Sequence, residues 1–529
     1  MNRWIGLVVA LTTAGIAGAA GVFLAGLFDL GPVDDAFISL RYATHWASGN
    51  GLCFNVDEKV EGYTNFLLVL LEAVAIRSGA DPVKAMIVIG WVAFAGLAGL
   101  FALFAARHLF PGDVVFPTTA GLLVVLNPVV LCWSASGLEA SLYALLVLAA
   151  VVLLYGSEES YRVYGSAVCL VLAAWTRPEA VVLLPVMLAV LLVERTSARR
   201  VVLYALVFLL IYGAYFTGRA LYFGYVFPNT FYAKLDYGNA GLLARGLGYL
   251  WSFATAVPVF LGFVILSLCL MPRSPRWVTG FLLVVGVQAA VVAYEGGDHF
   301  AMYRFLVPVV PFLAALVLHP FAMLARRMRQ RATVAAFVAA GGMVVLAATD
   351  LTVGRQAFAG GGSNPTISQF ERFRFECRLA EQWRDMGQFL GADAPPKSSL
   401  ATFAIGAIGF YSRMTIVDMV GIVDPVIAHQ ERRDRSAATG HDKFDNDYVL
   451  SREPSYVLLV AVLTPRPLPE DIQRRMLEAE RVQKVNLDMF NNPAFQEEYR
   501  PATVRLEGGY MNFFVRRDLP TPEPLPRDG

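Results

Sequence analysis

Long apolar runs follow one another through the first 350 residues, at about 4–28, 64–78, 83–106, 114–133, 138–155, 163–176, 178–194, 199–222, 248–271, 277–294, 303–324 and 332–349. Such runs fold as membrane helices, and a straight crossing needs ~20 residues. The run 64–78 is too short to cross, and 163–176 and 178–194 are marginal. Composition agrees: 16% of the residues are charged and 57% hydrophobic, against roughly 25% charged in soluble domains. No basic tract extends beyond short loop clusters, so nucleic acid is not an expected partner.

Loop charges orient the runs. Arg3, Arg107-His108, Arg162, the stretch 194–200, Arg273 to Arg276 and Arg326 to Arg331 fall on one side only if 64–78 stays out of the membrane. The segments 163–176 and 178–194 then form a hairpin whose tip, Thr176-Arg177-Pro178-Glu179, faces outward, with Pro178 ending the helix before it. The expectation is about eleven crossings plus juxtamembrane helices, amino terminus inside and carboxyl terminus outside. The first run, Trp4 to Phe28, exceeds the ~7–15 residues of a signal-peptide core and reads as an uncleaved helix.

Polar residues crowd the last third. The chain divides into a membrane domain, 1–350, with a first exported loop at 29–82; an α/β domain, 351–518; and a Pro-rich, disordered tail, 519–529. In the α/β domain a helix is expected over 366–390, and strands over 399–405, 414–419, 456–463 and 509–515. None of the five cysteines forms CxxC. Cys53 and Cys377 both fall in exported regions, and spacing leaves their pairing open.

The outward side collects the residues able to do chemistry. Asp34 and Asp35 open a helix after Gly31-Pro32. Capping explains one acid, worth ~0.3–1 kcal/mol; a second beside it argues for a base or cation site. The amphipathic run after them carries Arg41, and the polar loop Glu61, Tyr63, Thr64 and Asn65 reads as a cap or a ligand-facing loop. Glu139 is a first-turn acid or a ligand; Arg177 and Glu179 pair with each other or face a polar cavity. Asn229 and Lys234 follow several aromatics, and Lys234 reads as a headgroup anchor or a phosphate contact. Asp298, His299 and Arg304 cluster at the mouth of two helices, where Arg's planar fork suits phosphate. Asp424, His429, His441 and Asp442 have no ligand spacing and read as a solvated loop.

No Walker loop, GxSxG or HExxH occurs, no motif names a cofactor, and a divalent cation is left open. Carboxylates beside Arg and Lys at a membrane boundary fit chemistry on an anionic, lipid-linked substrate: cations hold the phosphate and a carboxylate deprotonates an acceptor hydroxyl. A lipid-linked sugar transporter or flippase is the alternative, but it would place polar groups near the bilayer midplane and often repeat internally. A sensor with a ligand-binding tail is a third reading, without a pocket motif to support it.

The stretches Asp34–Ala43 (DDAFISLRYA), Gly51–Asn55 (GLCFN) and Glu61–Asn65 (EGYTN) resemble those of polyprenyl-phosphate-dependent glycosyltransferases of the GT-C superfamily, most nearly the mycobacterial terminal β-1,2-arabinofuranosyltransferase family. The likeness continues through Gly137-Leu138-Glu139, the 176–179 tip, Phe227-Pro228-Asn229-Thr230, Gly296-Gly297-Asp298, Tyr303-Arg304-Phe305, Gly406–Tyr411 and Asp418–Gly421. The resemblance implies a bacterial cytoplasmic-membrane enzyme with a periplasmic C-terminal domain near the acceptor. It would move a sugar, arabinofuranose, from a polyprenyl phosphate to a glycan or glycoprotein hydroxyl. The family's first-loop acids map onto Asp34 and Asp35. Asp35, assisted by Asp34, is the expected base; Arg177, Lys234 and Arg304 would hold the phosphate; Glu139, Glu179, Asp298 and His299 would line the sugar site.

Overall fold

The computed structural model describes residues 3–155, 160–234, 240–256, 275–327, 367–431, 433, 442–479 and 484–522, with the single residues 262, 265, 269 and 341. Nearly all of 257–271 and of 332–349, together with 351–366, His441 and the tail from 523, lie outside the described residues. Among the described residues four helices are long and apolar enough to cross a membrane: Trp4–Phe28, Pro82–Leu109, Ala198–Phe223 and Arg276–Glu295. The pair Val115–Val125 and Pro128–Ala135 makes up to a fifth, bent by 62°. The bend has a local cause: Asn127 accepts the Val129 N–H at 2.9 Å, capping a new helix with Pro128 in its first turn. Ala140–Leu154, Pro178–Val193 and Arg304–Pro320 are apolar but shorter. The described helices therefore do not make up the expected eleven crossings.

The run 64–78 forms Phe66–Arg77, a helix of 12 residues. At 1.5 Å per residue it is ~18 Å long, short of the ~30 Å hydrocarbon core. Pro178 acts as its chemistry requires: Arg177 before it is extended, φ −149° and ψ 118°, and separates Ser160–Thr176 from the turn Pro178–Val182.

The C-terminal part begins with the helix Gln369–Asp393, started by a reciprocal cap between Ser368 and Glu371. Its five strands are β1 (Ser399–Thr402), β2 (Thr415–Asp418), β3 (Tyr456–Val457), β4 (Tyr499–Leu506) and β5 (Gly509–Arg516). They form one sheet in the order β2-β1-β3-β5-β4. β1 runs parallel to β2 and β3, and β5 antiparallel to β3 and β4. The sequence reading lacks β4. As an edge strand it alternates buried and exposed positions, and its outward Arg500, Thr503 and Arg505 hide the apolar half of the pattern.

The first loop is fastened to this sheet domain through main-chain groups. Asn55 lies along the free edge of β2, donating to the Ile416 carbonyl at 2.9 Å and accepting its N–H at 3.0 Å. Arg41 donates to the carbonyls of Phe54 and Met414, each at 2.7 Å, and of Gly409. Asn229 donates to the carbonyls of Gly421 at 2.9 Å and Ile422 at 3.0 Å. Lys443 donates to the Tyr232 carbonyl at 2.8 Å. Cys53 and Cys377 are both free thiols.

Candidate active site

The helix Asp34–Ala47 has no side-chain cap, and both acids stand in its first turn, where the helix dipole favours negative charge. The fold gives the two carboxylates different surroundings. Asp34 turns to the sheet domain and accepts the N–H groups of Gly406 at 3.1 Å and Ala407 at 2.6 Å. Glycine is required there, because a Cβ on Gly406 would lie 2.1 Å from the Asp34 carbonyl oxygen. Asp35 faces the other way, with its side chain 35% exposed and one oxygen 3.9 Å from Arg304. Among the described residues it makes no hydrogen bond.

Arg304 grips Asp298 with two contacts, at 2.8 and 3.1 Å, a fork that fixes its plane. Burial alone would raise the Asp298 carboxyl, but Arg304 holds it below its usual range. The approach to Arg304 is tightly made. Gly296 and Gly297 turn the chain at φ 83° and 73° after the helix Arg276–Glu295. Met302 and Tyr303 then adopt φ 61° and 49°, a conformation costing non-glycine residues about 1–3 kcal/mol each. Buried contacts hold them: Trp133 donates to the Met302 carbonyl at 2.7 Å, and the Tyr303 and Ser252 hydroxyls meet at 2.8 Å.

Arg177 donates to Glu139 at 2.8 Å and also pairs with Glu179. Glu139 accepts from Asn65 at 3.0 Å, and Asn65 accepts from Ser39 at 2.9 Å. Phe305 lies under both guanidinium groups, 4.5 Å from that of Arg177 and 5.1 Å from that of Arg304. Lys234 is exposed and lies within electrostatic reach of Asp35, Arg304 and Asp298. His299 stands 3.5 Å from Asp298.

Asp35, Asn65, Glu139, Arg177, Glu179, Lys234, Asp298, His299 and Arg304 thus form one cluster. Other candidates stand outside it. Arg41 and Asn229 are struts to the sheet domain, and Tyr63 is buried with its ring 4.7 Å from that of Tyr42. Thr64 is exposed, and Glu61 is clasped by Arg219. Arg219, Ser39 and Phe305 escape the sequence reading. Arg219 carried a usable signal, as the one cation within the apolar stretch 201–222. Among the described residues no three His, Cys, Asp or Glu side chains group as metal ligands.

Burial pushes the Asp34 carboxyl up to about 7, with Asp35 adding and the two backbone N–H groups opposing. A carboxyl raised in the folded state keeps its proton after the unfolded chain has lost it. Its contribution to stability is therefore present at low pH and lost between about 4 and about 7. Melting temperatures measured across that window should fall less steeply for Asp34→Asn than for the natural chain.

Residues 373–514 match the model of a domain of unknown function, DUF8728. No curated protein matches the chain. Among solved structures it is similar to ArnT from Cupriavidus metallidurans bound to undecaprenyl phosphate, at 13% identity over 78% of this chain and 85% of that one, TM-score 0.50. It is also similar to the archaeal oligosaccharyltransferase AglB from Archaeoglobus fulgidus, in complex with an inhibitory peptide and a dolichol-phosphate. That match has 12% identity over 97% and 75% of the two chains, TM-score 0.53. The Archaeoglobus fulgidus oligosaccharyltransferase complex with Zn and sulfate matches at 12% identity over 96% and 74%, TM-score 0.54. At these identities the likeness is one of fold alone: apolar helices followed by a C-terminal sheet domain.

Proposed function

We propose that the chain is a membrane glycosyltransferase that moves a sugar from a polyprenyl-phosphate donor to a hydroxyl of an envelope glycan or glycoprotein. On its sequence resemblance the sugar is arabinofuranose. The reaction takes place at the outer face of the bacterial cytoplasmic membrane, where the loop charges put the cluster. One observation carries the reading: Asp35 is a partly exposed, unbonded carboxylate held 3.9 Å from Arg304, beside Arg177 and Lys234. Asp35 takes the proton of the acceptor hydroxyl while its oxygen attacks the anomeric carbon. The bond from that carbon to the phosphate oxygen breaks, and its electron pair leaves with the lipid phosphate. Arg304, Arg177 and Lys234 offset the charge that develops there. Glu139 and Glu179 fix Arg177, Asp298 fixes Arg304, and these acids with His299 border the sugar. Support comes also from the fold neighbours, one bound to undecaprenyl phosphate and one to a dolichol-phosphate.

The test is transfer of labelled sugar from synthetic undecaprenyl-phosphate donors to envelope glycan fragments, by the full chain in nanodiscs. Sugar transfer supports the reading; movement of the lipid between leaflets without transfer rejects it. Lys234→Gln should weaken undecaprenyl phosphate binding roughly tenfold, the worth of one hydrogen bond to a charged group. Its melting temperature should not change, because Lys234 is exposed.

A further inference from the structure

The helix Phe66–Arg77 carries an acid that the proposed reaction does not use. Glu72 is 0% exposed, and among the described residues neither of its carboxyl oxygens has a hydrogen-bond partner. Its helix is apolar, and Leu68, Val69 and Ala73 beside it are buried as well. A carboxylate buried without a partner is so costly that the group keeps its proton instead. Burial pushes the Glu72 carboxyl well up, and Glu139 adds to the effect. Stability alone would favour an apolar side chain at such a position, so the acid calls for a reason beyond packing.

Its place on the helix gives one. Asn65 caps the helix seven residues before Glu72, close to two turns and about 10 Å along the axis. Helical side chains lean toward the N-terminus, which aims Glu72 back toward Asn65. Asn65 donates to Glu139 at 3.0 Å, and Glu139 is the charged neighbour that acts on Glu72. Glu139 is itself only 4% exposed. Its two side-chain donors are Asn65 and the Nη1 of Arg177, the latter at 2.8 Å. Arg177 also pairs with Glu179 through its Nε. In the proposed reaction the same guanidinium receives the donor phosphate, so three anions share it. The hold on Glu139 then slackens, and a buried carboxylate is left short of a donor. A neutral carboxyl has an O–H to give.

We infer that Glu72 is a positioning residue for the lipid phosphate: it keeps its proton and donates that O–H to Glu139 when Arg177 turns to the phosphate. This rests on the reading of the chain as a lipid-phosphate glycosyltransferase. No proton is released. The Glu72 O–H bond persists and the Glu139 carboxylate accepts it, one proton serving two neighbouring carboxyls. Arg177 can then engage the phosphate without stranding Glu139.

The test uses the full chain in nanodiscs, with undecaprenyl phosphate as the probe and undecaprenol, which lacks the phosphate, as the control. A protonated carboxyl gives an infrared C=O band that an ionised one lacks, and the band of Glu72 is the one missing from Glu72→Gln. The natural chain should show it at neutral pH. Undecaprenyl phosphate should shift it to lower frequency as the O–H takes up its acceptor, and undecaprenol should not. Glu72→Leu should bind undecaprenyl phosphate roughly tenfold more weakly, the worth of one hydrogen bond to a charged group, while its melting temperature does not fall. Glu72→Gln should keep most of the affinity, because its amide N–H serves Glu139 in place of the O–H. A role in packing alone would move neither the band nor the ranking of the two variants. The band and the glutamine variant decide even where Glu72→Leu does not fold. If undecaprenyl phosphate does not bind the natural chain, the glycosyltransferase reading itself falls. If it binds but no Glu72 band appears, or the band ignores the phosphate, or Glu72→Leu binds like the natural chain, or Glu72→Gln loses the affinity, the role of Glu72 alone is overturned.

Discussion

Asp35→Asn is expected to lower sugar transfer by about 10²–10⁴-fold, the range spanned by general-base catalysis, with the melting temperature unchanged. Its side chain has no structural bond to lose among the described residues, and the nearest cation, at 3.9 Å, is already held by Asp298. The amide keeps the shape and removes the proton acceptor. Asp34→Asn should behave differently. Two backbone N–H groups converge on the Asp34 carboxyl, and an amide offers one oxygen to them and turns its NH₂ toward the other. That leaves a donor unsatisfied, a loss of roughly 1–3 kcal/mol. The Asp34 variant should therefore melt earlier and retain turnover in proportion to the folded fraction. Parallel assays of rate and melting separate the two residues. A near-natural rate for Asp35→Asn would reject the base, and an undisturbed melt for Asp34→Asn would reject the docking role.

The second large effect is expected at Glu61 and Arg219. Arg219 reaches out of the helix Ala198–Phe223 to clasp both oxygens of Glu61, with its Nε at 3.0 and 2.9 Å. Its Nη1 donates to the Val226 carbonyl at 2.6 Å. The side chains are only 6% and 3% exposed, and the Glu61 carbonyl accepts the Asn229 N–H at 2.8 Å. Removing one partner strands a buried charge, at a loss of roughly 3–5 kcal/mol. Arg219→Met and Glu61→Gln should each lower the melting temperature sharply. The double replacement should recover much of the loss, since no charge is then left unpaired. Melting of the four chains under one condition measures this. Single variants that melt with the natural chain, or a double variant carrying the full sum of both losses, would show that the clasp does not hold the loop.

Hydropathy made the long apolar helices, the short 66–77 helix and the polar C-terminal sheet domain legible, because each is a property of neighbouring residues. The positive-inside pattern gave the expectation that the polar stretches share one side, and nine of the candidates do meet in one cluster. The division between Asp34 and Asp35 was not legible. They are identical neighbours, and what separates them is Gly406, brought to Asp34 by the sheet domain. Arg41 and Asn229 look like ligand residues for the same reason: their partners are carbonyls of Gly409, Met414, Gly421 and Ile422, and a carbonyl has no signature in sequence.

Gly31–Asn65 illustrates the boundary between the two levels. Its amino acids by themselves determined that a polar, acid-bearing loop would follow the first helix, because that depends on where apolar runs stop. The tertiary structure alone decided which acid stays free and which arginines converge on it. Partner choice depends on chain segments hundreds of residues apart meeting at 3 Å, a contact set by the packing of helices against a sheet and not by any local pattern.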